Sequence, residues 1–192
     1  VLFAFTLGSK GAEGRSFIDD LSQAGNQNIF SAIAGGVIFN AANILLVAAI
    51  AVAGMSVAFP VGIGIALVLG VMVNYVSVPQ GDPVWLFGGV GLITAAILLN
   101  ARAYRSLTAK GTATSFKGLL LSVAAGLLMS FFYRFVAQSM FPDFNVPEPG
   151  KLSPYTALFF FSIGVVLSNF LFNYYIMRKP FSGSPVGFDQ YT

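Results

Sequence analysis

Cysteine and histidine are both missing from the 192 residues of this chain. That absence removes disulfides, thiol chemistry, zinc sites and histidine proton relays together. The common nucleophile and acid–base pairs of enzymes go with them, so an enzyme is not expected. Charge is scarce as well: 9% of residues are Asp, Glu, Lys or Arg, against about 25% in ordinary soluble domains. The net charge of +3 is scattered and forms no basic run, so nucleic acid is not an expected partner. What is present is apolar: 56% hydrophobic residues, with 20 Phe and 21 Gly. A soluble fold of this size needs far more polar surface. The composition is that of an integral membrane protein, all-α, with the lipid bilayer as its first partner.

Five long apolar runs set the organisation: about Ile29–Ala53, Met55–Ser77, Pro83–Ala101, Gly118–Ser139 and Tyr155–Met177. Each has the length that crosses a hydrocarbon core of about 30 Å at about 1.5 Å per residue. Together they predict a polytopic transmembrane helix bundle. Val1 to Leu7 is apolar but too short to span, and reads as the tail of a helix that begins outside this sequence. The first two runs are continuous, and Gly54 is the expected turn between them.

Loops carry the charge. The connector 102–117 holds Arg102, Arg105, Lys110 and Lys117, and the tail adds Arg178 and Lys179 on the same side. The opposite side has Lys10, Arg15 and Lys151 with the acids Glu13, Asp19, Asp20, Asp143 and Glu148. The excess of basic residues places the connector in the cytoplasm. Between Ser16 and Asn28, a Ser16–Asp19 capping pair opens a short helical turn. Its apolar face is expected to carry Phe17, Ile18 and Leu21, with Asp19 and Asp20 turned away, as in a helix lying on the membrane surface; an ordered loop is the other reading.

The stretch GMSVAFPVGIGIALVLG places Gly54, Ala58, Gly62, Ala66 and Gly70 at every fourth position, one stripe of a helix. Gly and Pro cost roughly 1 and 3 kcal/mol relative to Ala inside a helix in water. In lipid, small residues instead allow close helix packing. Pro60 leaves the Ser56 carbonyl without its helical partner. Two readings follow: a bendable helix lining a cavity, or tight packing with a fixed kink.

Asn40 and Asn43 share a face in the middle of the first span, and Asn169 and Asn173 stand at i, i+4 in the fifth. Each amide both donates and accepts, which suits a polar, uncharged solute; the alternative is hydrogen bonding between helices. Arg134 is the one charge inside a span. It either snorkels to the outer interface or joins Ser130, Tyr133 and Gln138 in a solute contact. Tyr174, Tyr175 and Trp85 read as interface anchors. No Asp or Glu lies within a span, so no carboxylate there can relay a coupling proton.

The segments FIDDLSQAGNQNIFSAIAGG, NAANILLVAAIAVAGMSV and PYTALFFFSIGVVLSNFLFN resemble the ureide permeases. Those belong to the drug/metabolite transporter superfamily, together with bacterial glucose and rhamnose uptake permeases. The resemblance implies ten helices in two five-helix inverted repeats. On that pattern residues 1–101 end the first repeat, 102–117 connect, and 118–192 open the second. The chain would then be a fragment. Plant members of the family carry allantoin, uracil and related heterocycles with protons, and their longer central loop holds a P-loop. The connector here has no GxxxxGK[ST] sequence, so neither ATP nor any other cofactor is expected.

These observations lead to a secondary transporter for a small polar, uncharged solute, with a ureide or nucleobase-like compound ahead of a sugar. A multidrug efflux carrier and, from another class, a non-transporting membrane subunit are the alternatives. The host membrane is a bacterial inner membrane or a eukaryotic plasma membrane. Oligomeric state, direction of flux and energy coupling have no signature in the residues.

Overall fold

A computed structural model describes residues 2–10, 15–77, 79, 81–108, 115–143, 146–181, 183–185 and 187. Residues 109–114 of the connector, Lys110 among them, and Glu13 lie outside these. The elements are α1 (Leu2–Phe5), a 3-10 turn (Gly8–Lys10), α2 (Phe17–Gln23), α3 (Asn26–Ala53), α4 (Met55–Ser77), α5 (Pro83–Thr108), α6 (Phe116–Ser139) and α7 (Pro154–Arg178). Among the described residues there is no β-strand, only an isolated bridge between Met140 and Leu152. Helices α3, α4, α6 and α7, and Pro83–Asn100 of α5, are long and apolar enough to cross a membrane.

Local chemistry explains where the helices start and stop. Asp82 and Ser153 precede a proline at the first helical position of α5 and α7, where a missing N–H costs nothing. Asp82 Oδ1 accepts from Val84 N at 2.8 Å, and Ser153 Oγ from Thr156 N at 3.4 Å. Gly54 separates α3 from α4 as a single residue with φ +80°, a left-handed conformation open to glycine. It therefore stands at the turn and not on the α4 stripe, which Ala58, Gly62, Ala66 and Gly70 continue. Helix α4 runs on through Pro60. Helix α5 extends past Ala101 to Thr108.

The chain forms two compact units. The first comprises Val1–Asn40 and Phe131–Asn169. Within it α3 packs against α6 and α7 through glycines. A Cβ on Gly36 would stand 2.1 Å from the Phe161 carbonyl oxygen, and one on Gly164 2.2 Å from that of Ile33. On the α6 side, Gly35 faces Val136 and the Phe132 carbonyl, and Ser31 Oγ donates to Phe135 O at 2.7 Å. Phe39, Phe132 and Phe161 bring one ring from each helix together, with centroids 5.0 to 6.1 Å apart.

The second unit comprises Ala41–Ser130 and Phe170–Thr192. Here Gly62 of α4 meets Leu46 of α3 and the Ser122 carbonyl of α6, while a Cβ on Gly126 would lie 2.6 Å from Gly62 O. Ala58 is fully buried, and Gly70 faces Ser130. Of the stripe, Ala58, Gly62 and Gly70 thus lie against neighbouring residues. Gly118, at the start of α6, abuts Ala53, the last residue of α3.

Large apolar side chains nevertheless cover the outside, among them Trp85, Leu92, Leu99, Phe131, Phe170 and Leu171. Small residues inside and large hydrophobes outside reverse the order of a water-soluble core, and hydrocarbon is the solvent that makes this stable. The protein is a multi-pass integral membrane protein.

Candidate functional site

Buried polar groups in the spans are satisfied largely by their own helices. Ser122, Ser130, Ser139 and Ser168 donate to carbonyls three or four residues back, as does the partly exposed Ser162. Among the described residues, no buried side-chain nitrogen or oxygen is without a hydrogen bond.

In the first unit Asn40 Nδ2 donates to Ser168 Oγ at 2.9 Å, both residues buried. The Ser168 hydroxyl in turn donates a hydrogen bond to Val165 O at 3.1 Å. This pair ties α3 to α7 and gives Asn40 an interhelical bond. Double-mutant cycles put such bonds at about 0.6 kcal/mol on average. Asn40→Ala is accordingly expected to lower stability by about 1 kcal/mol or less, read as a small drop in melting temperature in detergent. A loss of several kcal/mol would show that Asn40 holds more than this bond.

In the second unit Asn43 and Asn173 line one cavity of about 340 Å³. Its remaining lining is Ile44, Val47, Ala48, Ala51, Ile176, Pro180 and Phe181. These are two amides in an otherwise apolar wall, and an amide group can both donate to and accept from a neutral polar molecule.

The other sequence candidates do not join this cavity. Ser130 is buried against Gly70 with its hydroxyl bonded to Leu127 O. Tyr133, Arg134, Gln138 and Asn169 have exposed side chains. Gln138 takes part through its backbone carbonyl, which accepts from Lys151 Nζ.

Sequence reasoning missed a polar clasp in the first unit. The expected apolar face of α2 is corrected: Phe17 and Asp20 are buried, whereas Ile18 and Leu21 are 65% and 39% exposed. Asp20 turns inward because its partners are there. Its Oδ1 pairs with Arg15 Nε at 3.1 Å and accepts from Gln23 Nε2 at 3.1 Å, and its Oδ2 accepts from Ser153 N at 2.7 Å. Arg15 Nη2 also donates to Glu148 O and Lys151 O, while Gly25 N and Asn28 Nδ2 both donate to Gly150 O. The Ser16–Asp19 cap does form, with Asp19 N donating to Ser16 Oγ at 3.3 Å. Nothing in the residues around Asp20 signals its burial, because Ser153 stands 133 positions away.

Residues 1–114 match the ureide permease family model. The chain is similar to Ureide permease 1 of Arabidopsis thaliana, at 25% identity over 242 aligned residues, covering 96% of this chain and 62% of the relative. The chain therefore spans about 62% of that relative's length. An alignment longer than the chain itself means that the relative carries inserted residues. No solved structure matches. A family match over more than half of the chain, on a framework of five apolar spanning helices, assigns this protein to the ureide permease family.

Proposed function

We propose that this chain forms part of a secondary transporter that moves a small, polar, uncharged solute by alternating access. The observation that carries the reading is the placing of Asn43 and Asn173 in one cavity. Its volume of about 340 Å³ falls in the range of small-molecule sites, about 300–1,000 Å³. Amides without a charged neighbour in the lining favour a neutral solute able to donate and accept. A ureide or nucleobase-like heterocycle fits this best, in line with the name of the Arabidopsis relative.

The wider architecture belongs to the same proposal. It consists of ten helices in two inverted five-helix repeats, with residues 1–101 closing the first, 102–117 connecting on the cytoplasmic side, and 118–192 opening the second. The superfamily assignment and the kinship to bacterial sugar permeases go with it. The small-residue stripe of α4 and Pro60 would then let one repeat rock against the other.

Uptake of labelled allantoin, uracil or hexoses by cells expressing the full-length protein tests the reading. Asn43→Ala and Asn173→Ala are each expected to raise KM about tenfold, the equivalent of one lost hydrogen bond of about 1.4 kcal/mol. Unchanged KM in both variants overturns the site. Absence of uptake for all three solute classes overturns the solute assignment.

A further inference from the structure

We propose that Pro180 and Phe181, just beyond α7, form a strap closing one side of the Asn43–Asn173 cavity, and that Lys117 of α6 positions it. The inference rests on the reading of that cavity as the solute site and adds how the site is reached.

The strap follows from the end of α7. Lys179 N still donates to Tyr175 O at 2.9 Å, so helical bonding persists up to the proline. Pro180 has no N–H and cannot extend the ladder. The chain leaves the helix axis there, and Pro180 and Phe181 come to line the cavity beside Val47, Ala48 and Ala51 of α3. Phe181 is half-buried.

Its carbonyl accepts a hydrogen bond from Lys117 Nζ at 2.8 Å, across 64 residues of sequence. One ammonium group thereby fixes the backbone of the residue that borders the cavity. The neighbouring cations are engaged elsewhere. The Arg178 guanidinium lies 4.5 Å from the Tyr174 ring centre, and the Lys179 ammonium 6.0 Å from that of Tyr175. Lys117 is exposed, and its bond to Phe181 is exposed with it.

An exposed hydrogen bond of this kind is weak in net terms because water competes for both partners. It biases the strap toward the closed position without locking it. That is the property needed of an element that must open in each cycle. Removing Lys117 leaves the cavity lining unchanged and frees only the strap. Removing the Phe181 ring opens the wall itself.

The absence of cysteine makes the test direct. Ala48→Cys places the one thiol of these 192 residues in the cavity lining, and Pro142→Cys instead places it on an exposed loop of the other unit. Modification by a water-soluble maleimide is timed on purified protein in detergent. Lys117→Met and Phe181→Ala are each expected to speed labelling at position 48 at least about threefold, as expected when one weak bond stops biasing an equilibrium. Phe181→Leu keeps the bulk and should stay near the original rate, and labelling at position 142 should not change.

Equal rates at position 48 in all variants overturn the strap. Equal acceleration at positions 48 and 142 overturns it too, since general loosening would then be the cause. If Phe181→Ala does not fold, Lys117→Met decides alone, because Lys117 is not part of the lining. Labelling needs no solute, so failure of the strap and failure of the solute site are read separately.

Discussion

Gly36→Ala is expected to weaken the first unit by about 2–3 kcal/mol, at the upper end of overpacking effects. The added Cβ would stand 2.1 Å from the Phe161 carbonyl oxygen and 3.0 Å from both Phe161 C and Val165 N. A carbon and a carbonyl oxygen ordinarily meet at about 3.3–3.6 Å, so α3 and α7 must separate by roughly 1.2–1.5 Å. The obstacle is backbone, not the far end of a flexible side chain, and cannot turn aside. Separation also pulls Phe161 from the rings of Phe39 and Phe132, with which it packs at 5.4 and 6.1 Å.

Gly164→Ala should behave alike, because its Cβ would reach 2.2 Å from Ile33 O on the same pair of helices. The double variant should cost less than the sum, since one separation relieves both clashes. Gly91→Ala in α5 is the contrast, with nothing within 4 Å of the added atom. It should leave stability unchanged or raise it by up to about 1 kcal/mol through helix propensity. Thermal unfolding in detergent, followed by the monodisperse fraction, distinguishes the two. If Gly36→Ala melts like Gly91→Ala, the close approach of α3 and α7 is wrong.

Arg15→Ala is expected to cost about 3 kcal/mol, because removing one member of a buried ion pair strands the other's charge. The two members differ in a way that sets the order of the variants. Asp20 is fully buried, while the Arg15 side chain is 21% exposed. Without Arg15 the carboxylate is left buried with only neutral partners, Ser153 N and Gln23 Nε2. Without Asp20 the guanidinium can turn outward, and the losses are the bonds to Ser153 N and Gln23 Nε2.

Arg15→Ala should therefore be at least as damaging as Asp20→Asn. Asp20→Asn introduced into Arg15→Ala should recover part of the loss by removing the stranded charge. Stability in detergent and hydrogen exchange at the Ser153 amide, which opens α7, report the effect globally and locally. If the double variant is no more stable than Arg15→Ala, the charge of Asp20 is not what makes the clasp costly to break.

Several features could be read in the residues. The spans are one case: Met55–Ser77 has the same two ends in sequence pattern and structure, and the starts of α3 and α6 lie within three residues of their expected positions. Run length is set by the hydrocarbon thickness, a constraint local to each segment. The Gly54 turn was legible because a single glycine interrupted a run too long for one helix. The end of α5 was not legible, since helical hydrogen bonding continues through Arg102 to Thr108 after the apolar composition stops. Asn43 and Asn173 were recognisable as candidates from their types and positions, but their common cavity was not.

The sequence by itself determined the solvent, the number of long apolar helices and the limits of their apolar cores, because each depends on neighbouring residues meeting water or lipid. Only the tertiary structure decided which small residues touch, that Asp20 is buried against Ser153, and that Phe181 reaches the cavity of Asn43 and Asn173. Those facts join positions far apart in the chain, Asp20 and Ser153 by 133 residues. No local pattern carries them, since the free energy of a contact belongs to both partners and exists only once the chain has brought them together.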